Sequence, residues 1–265
     1  MRIGIVGCAG RMGRMLVDAV LAAPGCELSG GTERPGTDAV GRDLGEVAGL
    51  GTLDCLVEAD PRRLFEFSDA VIDFSAPGAT ILNAGFAADT RVALVVGTTG
   101  LSPEDEAQLK TAATRTPIVY APNYSVGVNL LLALTERAAA ILGDDYDIDI
   151  LEMHHRAKVD APSGTALGLG RAAATGRGVA LDRVWRKVRD GHTGARPRGE
   201  IGFATLRGGD VVGDHTVFFA GDGERVELGH KASSRAVFAK GAVRAALWTH
   251  GQPPGLYTMR DVLGL

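Results

Sequence analysis

Lysine is scarce in this chain: only Lys110, Lys158, Lys187, Lys231 and Lys240 stand among 28 basic residues. A lysine inside a dense polar motif is therefore hard to read as surface filler. Cysteine is rarer still. Cys8, Cys26 and Cys55 form no C-x-x-C pair and no disulfide framework, which suits a reducing, cytoplasmic setting. No run of Lys and Arg stands out, and 28 basic against 32 acidic residues leave a net charge of −4, so nucleic acid is not an expected partner. The stretch Leu130–Leu142 carries Glu136 and Arg137 and falls short of the ~20 apolar residues of a membrane span, so no membrane partner is expected. Met1–Gly7 is apolar but short, and Arg11 and Arg14 follow it, so no secretory signal is expected. Glycine is the one residue in excess: 37 of 265, about twice the usual ~7%. With 11 prolines and no low-complexity tract, these glycines read as turns and close backbone approaches.

The first 120 or so residues alternate between two periods. Short apolar runs recur at Arg2–Val6, Glu27–Thr32, Ala70–Phe74, Val92–Val96 and Ile118–Tyr120. Helical spacing follows several of them, at Arg11–Ala22, Pro77–Ala88, Pro103–Ala113 and Val126–Leu142. Strands that are apolar throughout, alternating with helices, predict a doubly wound parallel sheet covered on both faces. After about Asp144 the pattern changes. Asp147–Leu151 alternates charged and apolar residues, and strand-like stretches follow at Ile201–Arg207, Val211–Ala220 and Arg225–His230, with Gly221-Asp222-Gly223 as a hairpin turn. A second α+β domain with an open mixed sheet is expected there, then a final helix over Arg235–Trp248 and a short tail.

Where the first strand becomes the first helix stands Gly7-Cys8-Ala9-Gly10-Arg11-Met12-Gly13. Glycines let a backbone turn tightly and approach a pyrophosphate, whose charge the helix N-terminus attracts. The first gap is one residue longer than in the usual G-x-G-x-x-G of Rossmann domains. Glu33 lies about 20 residues after Gly13, the place of a carboxylate that bonds ribose hydroxyls, and Arg34 can pair with a 2′-phosphate. A glycine-rich turn that binds no nucleotide is the plain alternative. Two more loops fall at strand ends, Gly97-Thr98-Thr99-Gly100 and Ala121-Pro122-Asn123-Tyr124, where doubly wound sheets bind ligands. Ordinary loop chemistry would produce them too.

The densest polar motif runs Glu152-Met153-His154-His155-Arg156-Ala157-Lys158-Val159-Asp160-Ala161-Pro162-Ser163-Gly164-Thr165-Ala166. Ser163 is a fitting N-cap, after which Gly164 and Thr165 present backbone N–H groups to an anion. No metal is expected, because adjacent strand residues point to opposite faces and no carboxylate or cysteine cluster completes a shell around His154-His155. A purely structural histidine pair remains an alternative. His192, His215, His230 and His250 are scattered and read as structural or solvent-facing. Arg235 reads equally as a substrate contact or a surface ion pair.

This motif resembles the signature E-x-H-H-x-x-K-x-D-A-P-S-G-T-A of the 4-hydroxy-tetrahydrodipicolinate reductases. The resemblance extends along nearly the whole chain, through the glycine loop, Glu33-Arg34, Gly97–Gly100, Asn123–Asn129, Gly199–Phe203, Gly213–Thr216, His230–Arg235 and Gly241–Ala246. It implies an NAD(P)H-dependent reductase of diaminopimelate and lysine biosynthesis that acts on a cyclic dicarboxylate; having both Glu33 and Arg34 predicts use of both NADH and NADPH. It implies a dinucleotide domain over 1–123 and 235–265, and a substrate-binding and oligomerisation domain over 124–234 that builds a homotetramer. Carried onto this sequence, His154 and Lys158 are catalytic, with His154 suited to proton donation and Lys158 to stabilising negative charge or to donating the proton itself; the sequence does not separate these two roles. His155, Gly164, Thr165 and Arg235 meet the substrate. Gly7, Cys8, Ala9, Gly10, Arg11, Met12, Glu33, Arg34, Gly97, Thr98, Thr99, Ala121, Pro122, Asn123 and Tyr124 meet the cofactor. Two other readings remain: a different two-domain dehydrogenase acting on a semialdehyde or keto acid, and a nucleotide-binding redox sensor without turnover, which would have no need of His154 with Lys158.

Overall fold

The computed structural model describes residues 1–265. In chain order the first elements are β1 (Arg2–Val6), α1 (Arg11–Leu21), β2 (Glu27–Thr32), α2 (Leu44–Ala48), β3 (Val57–Glu58), α3 (Pro61–Phe67), β4 (Ala70–Asp73), α4 (Pro77–Thr90), β5 (Ala93–Val96), α5 (Pro103–Ala112) and β6 (Pro117–Tyr120). Next come α6 (Val126–Leu142), β7 (Asp147–His154), α7 (Gly164–Gly176), α8 (Leu181–Val184), β8 (Trp185–Arg186), β9 (Ile201–Arg207), β10 (Gly213–Ala220) and β11 (Arg225–Ala232). The chain ends on α9 (Ala236–Trp248), β12 (Gly255–Tyr257) and α10 (Met259–Leu263). It divides into two compact units, Met1–Val126 with Ala236–Leu265, and Gly127–Arg235.

The first unit holds a parallel seven-stranded sheet in the order β12-β6-β5-β4-β1-β2-β3. Its central strands β1, β4 and β5 are buried on both faces, and the two-residue period of a strand divides their side chains between two cores. Ile3, Ile5, Ile72, Val95 and Val119 pack with Leu16, Val20, Ala242 and Ala246 of α1 and α9. Val6, Val71, Leu94, Val96 and Ile118 pack on the other face with Leu64, Ala84 and Leu109 of α3, α4 and α5. The order reverses between β1 and β4, which places the turns after these strands at the crevice where doubly wound sheets take ligands.

The tail is more ordered than its sequence suggests. β12 adds a seventh strand, pairing Gly255 with Pro117, Leu256 with Ile118 and Tyr257 with Val119, and α10 follows. A three-residue strand after a proline pair carries too little periodicity to stand out. The unit boundaries also fall beyond Asn123 and beyond Arg235. Tyr124 belongs to the first unit because its hydroxyl is shared between the carbonyls of Val96 and Val119, each at 2.9 Å. Arg235 belongs to the second, since the last long helix begins at Ala236.

The second unit holds a five-stranded mixed sheet, β11-β10-β7-β9-β8. The central β7 is antiparallel to β10 and parallel to β9. Strict alternation buries Ile148, Ile150, Glu152 and His154 on the same face of β7. Ile148 and Ile150 pack there with Leu131 and Ala139 of α6 and Leu169 and Ala173 of α7. Polar Glu152 and His154 extend that face beyond the apolar core, toward the start of α7. With its 3₁₀ extension to Asp145, the segment from Val126 is longer than the stretch singled out in the sequence. By length and composition alone it is apolar enough to cross a membrane, although Leu131, Thr135 and Ala139 are buried within this unit.

Candidate functional site

Each unit carries part of the motif set. In the first, Gly7 has φ 72°, a left-handed conformation that a side chain disfavours. Both Gly7 and Cys8 donate their amides to the Thr32 carbonyl, at 2.9 and 3.2 Å, which ties the turn after β1 to the end of β2. Gly10 is the N-cap of α1 and Arg11 its exposed first residue. Gly13 permits the close approach of helix and turn: a Cβ there would lie 2.1 Å from the Gly7 carbonyl oxygen. Glu33, just past β2, accepts the Ala9 amide at 3.0 Å and the Arg34 amide at 3.2 Å. A cavity of about 300 Å³ opens here, lined by Gly7, Glu33, Arg34, Pro35, Ser75 and Phe86.

The turn after β6 meets α1 and α9 at a second cavity of about 210 Å³, lined by Met12, Phe74, Pro122, Asn123, Tyr124 and Phe238. Three side chains expected at the cofactor are committed elsewhere. Cys8 lies in the core beside Gly31, and burial, then the charge of Glu33, pushes its thiol up to about 12. The Thr98 hydroxyl is buried, accepting from Ser75 N at 3.1 Å and Thr80 Oγ1 at 2.8 Å. Tyr124 is spent on backbone carbonyls. Only the main chain of these three residues remains for a ligand. Thr99 and Gly100 are exposed.

In the second unit the polar site forms where β7 ends. The Glu152 carboxylate is buried, with Oε1 accepting from Ser163 N at 3.0 Å and Arg207 Nη2 at 2.9 Å. Its Oε2 accepts from Arg207 Nη1 at 2.8 Å and lies 2.6 Å from His154 Nδ1. Burial works against the charge of Glu152, but the bonds from Arg207, His154 and the Ser163 amide outweigh it and hold the carboxyl below its ordinary range. The Ser163 hydroxyl caps α7 by accepting from Ala166 N at 3.1 Å, and lies 3.0 Å from His215 Nε2. The His154 and His215 rings meet edge to face at 5.1 Å. Burial first, then the charge of His154, pushes the His215 imidazole down to about 4, so it stays neutral.

The chain turns sharply after His154: Lys158 N donates to the His155 carbonyl at 3.1 Å, so Lys158 does not continue the strand face. Its ammonium is bound by both Asp160 oxygens, at 2.8 and 2.9 Å. Gly164 is exposed at the first position of α7, and Thr165 and His155 are half-buried. His154 and the start of α7 are thus brought together, with Glu152 as the link. Three residues of this cluster go beyond those expected from the sequence. Glu152 and Arg207 hold His154, and His215, read as scattered, lies beside it. Period-two spacing from Glu152 to His154 was the available signal; nothing local marks Arg207 or His215.

Comparisons with known proteins agree along the whole chain. The family profile described as dihydrodipicolinate reductase, N-terminus, matches residues 1–124, and that described as dihydrodipicolinate reductase, C-terminus, matches residues 127–263. The 4-hydroxy-tetrahydrodipicolinate reductase of Methylocella silvestris is 56% identical over 265 residues, covering 100% of this chain and 97% of its own. That of Brucella abortus is 53% identical over 266 residues, covering 100% and 99%. Among solved structures, dipicolinate-bound dihydrodipicolinate reductase from Paenisporosarcina sp. TG-14 has a TM-score of 0.78 at 22% identity, covering 97% of each chain, a likeness of fold.

Proposed function

We propose the following division of labour from the premise that the chain belongs to the dihydrodipicolinate reductase family. It is a nicotinamide-dependent oxidoreductase that reduces 4-hydroxy-tetrahydrodipicolinate, through dihydrodipicolinate, to tetrahydrodipicolinate in diaminopimelate and lysine biosynthesis. The observation that carries its chemistry is the chain Arg207–Glu152–His154, with its carboxylate and imidazole buried, beside the capped start of α7. A nucleotide sensor needs no such apparatus. A coupled assay at 340 nm with enzymatically generated substrate tests the reading: steady loss of the reduced cofactor supports it, and binding without turnover defeats it.

The first unit fits a dinucleotide. The left-handed Gly7, the space kept by Gly13, the N-terminus of α1 and the Glu33 carboxylate form a cradle for pyrophosphate and ribose. When bound, the nicotinamide supplies a hydride. Gly7 to Met12, with Glu33 and Arg34, serve the adenosine and pyrophosphate, and the turns Gly97–Thr99 and Ala121–Tyr124 serve the remainder. Both NADH and NADPH are used: Glu33 accepts from ribose hydroxyls, while exposed Arg34 neutralises a 2′-phosphate. The second unit binds the substrate. Gly164 and Thr165 at the start of α7 take one carboxylate, and His155, Lys158 and Arg235 face the remaining anionic surface. After hydride addition at ring carbon C4, His154 protonates the resulting enamine, and Lys158 stabilises the developing negative charge.

Two further assignments rest on the same premise. The outer face of the second sheet carries Leu151, Met153, Leu206 and Phe218, aligned by the pairings Met153 with Leu206 and Leu151 with Thr216. Leu206 is exposed there. An open sheet with such a face needs cover, which supports a homotetramer built through this unit. Sedimentation as a stable monomer at micromolar concentration would remove it. Three free cysteines are consistent with a cytoplasmic location.

A further inference from the structure

We propose that Glu152, clamped by Arg207, is a positioning residue that fixes the proton of the neutral His154 ring on Nδ1 and so makes Nε2 the atom that donates to substrate. This inference rests on the reading of His154 as the proton donor and adds the reason it donates from one nitrogen.

Neither oxygen of Glu152 is free to turn. Oε1 holds the Ser163 amide and Arg207 Nη2, with Thr205 Oγ1 at 3.4 Å, and Oε2 holds Arg207 Nη1 and His154 Nδ1. An ionised carboxylate only accepts hydrogen bonds, so the 2.6 Å contact requires a proton on Nδ1. A planar guanidinium gripping both oxygens leaves that carboxylate one orientation. At the other edge of the ring space is kept open: a Cβ on residue 213 would come within 3.0 Å of His154 Nε2, and residue 213 is glycine.

His215 of β10 packs against the His154 ring, and its own Nε2 is engaged by Ser163 Oγ. His230 of β11 lies beyond it, and Lys158 is held by Asp160 in the loop after β7. Glu152 is thus the carboxylate in direct contact with the His154 ring. In the donation step the Nε2–H bond breaks as a C–H bond forms on the enamine anion left by hydride addition, whose electron pair makes the new bond as the ring C=N bond is restored. The N–H electron pair stays on Nε2. The product ring is neutral with its proton on Nδ1, the tautomer that Glu152 holds, and solvent returns the donated proton.

The test uses full-length protein labelled with ¹⁵N-histidine, with His154 assigned by comparison with His154→Gln. Long-range ¹H–¹⁵N spectra of the neutral ring should show the proton on Nδ1. In Glu152→Gln the amide oxygen keeps the two donors at Oε1, the Ser163 amide and Arg207 Nη2, so the NH₂ group falls opposite Nδ1 and donates to it, at the loss of the bond from Arg207 Nη1. The tautomer should switch to Nε2–H, and kcat should fall about ten- to a hundredfold with KM changed less than about threefold, part of what a general acid contributes. Arg207→Lys keeps the charge but loses the fork, and should give a mixed tautomer with a smaller fall in kcat. If Glu152→Gln does not fold, Glu152→Ala, which removes the acceptor at Nδ1, decides in its place. A proton on Nε2 in the unaltered protein, or a tautomer unmoved by these substitutions, overturns the proposal. A tautomer that switches while kcat is untouched upholds the hold on Nδ1 and instead overturns His154 as donor.

Discussion

Glu33 and Ala9, separated by 24 positions in the chain, are joined by a 3.0 Å hydrogen bond from the Ala9 amide to the Glu33 carboxylate. The residue proposed to read the ribose therefore also steadies the turn proposed to cradle the pyrophosphate. Glu33→Ala should weaken NADH by about 1–3 kcal/mol, the worth of a bond to a charged group, and NADPH by less. Fluorescence titration of both cofactors checks this; unaltered affinity for NADH would remove Glu33 from the ribose.

Arg34 is exposed beside the same cavity. Arg34→Ala should cost NADPH roughly 1–3 kcal/mol and spare NADH, because only the former brings a 2′-phosphate. Equal losses for the two cofactors in the same titrations would show that Arg34 does not read the phosphate.

His154→Ala should lower kcat by about 10²–10⁴ with a modest change in KM, the usual scale for losing a general acid. Lys158→Ala should damage both kcat and KM, since its charge also serves ground-state binding. Steady-state rates on folded protein with intact cofactor affinity are the measurement. Near-full turnover in His154→Ala would make Lys158 the next candidate for the acid.

Gly13→Ala places a methyl group 2.1 Å from the Gly7 carbonyl oxygen, which no side-chain motion can relieve. Destabilisation of about 1–3 kcal/mol or more is expected from such overpacking, together with loss of cofactor binding. Thermal unfolding beside a cofactor titration reads both. A variant as stable and as tightly bound as the parent would show that helix and turn need no close approach.

Stability should fall in mild acid through His215, pushed down to about 4 chiefly by burial. The unfolded ring takes a proton near 6.5 while the folded ring resists until about 4, so the unfolded state binds more protons between these values. Its full contribution is present above pH 6.5 and is lost as pH falls through 4; this shift corresponds to roughly 3 kcal/mol. Denaturant midpoints of His215→Leu against the parent should converge as pH drops across that window. Parallel curves would place the acid sensitivity elsewhere.

Much of this protein was legible before any coordinate. Strand and helix periods are local, so alternating apolar runs revealed the doubly wound sheet, and the break in pattern after Asp144 marked a second sheet. The glycine turn, the Glu33 carboxylate, the Ser163 cap and the histidine–lysine motif are each short, and each follows from chemistry acting over a few residues. What the sequence left undetermined depends on partners distant along the chain. Arg207 reaches Glu152 from β9, and His215 reaches Ser163 from β10, because the β7–β9 and β7–β10 registers bring them there. β12 exists because the tail finds an open edge beside β6. Thr98 and Tyr124, whose sequence positions point at a cofactor, turn their side chains inward because buried backbone and polar groups there need partners. Local motifs thus pointed to the residues proposed to carry the chemistry; strand register and burial decided which groups hold them in place.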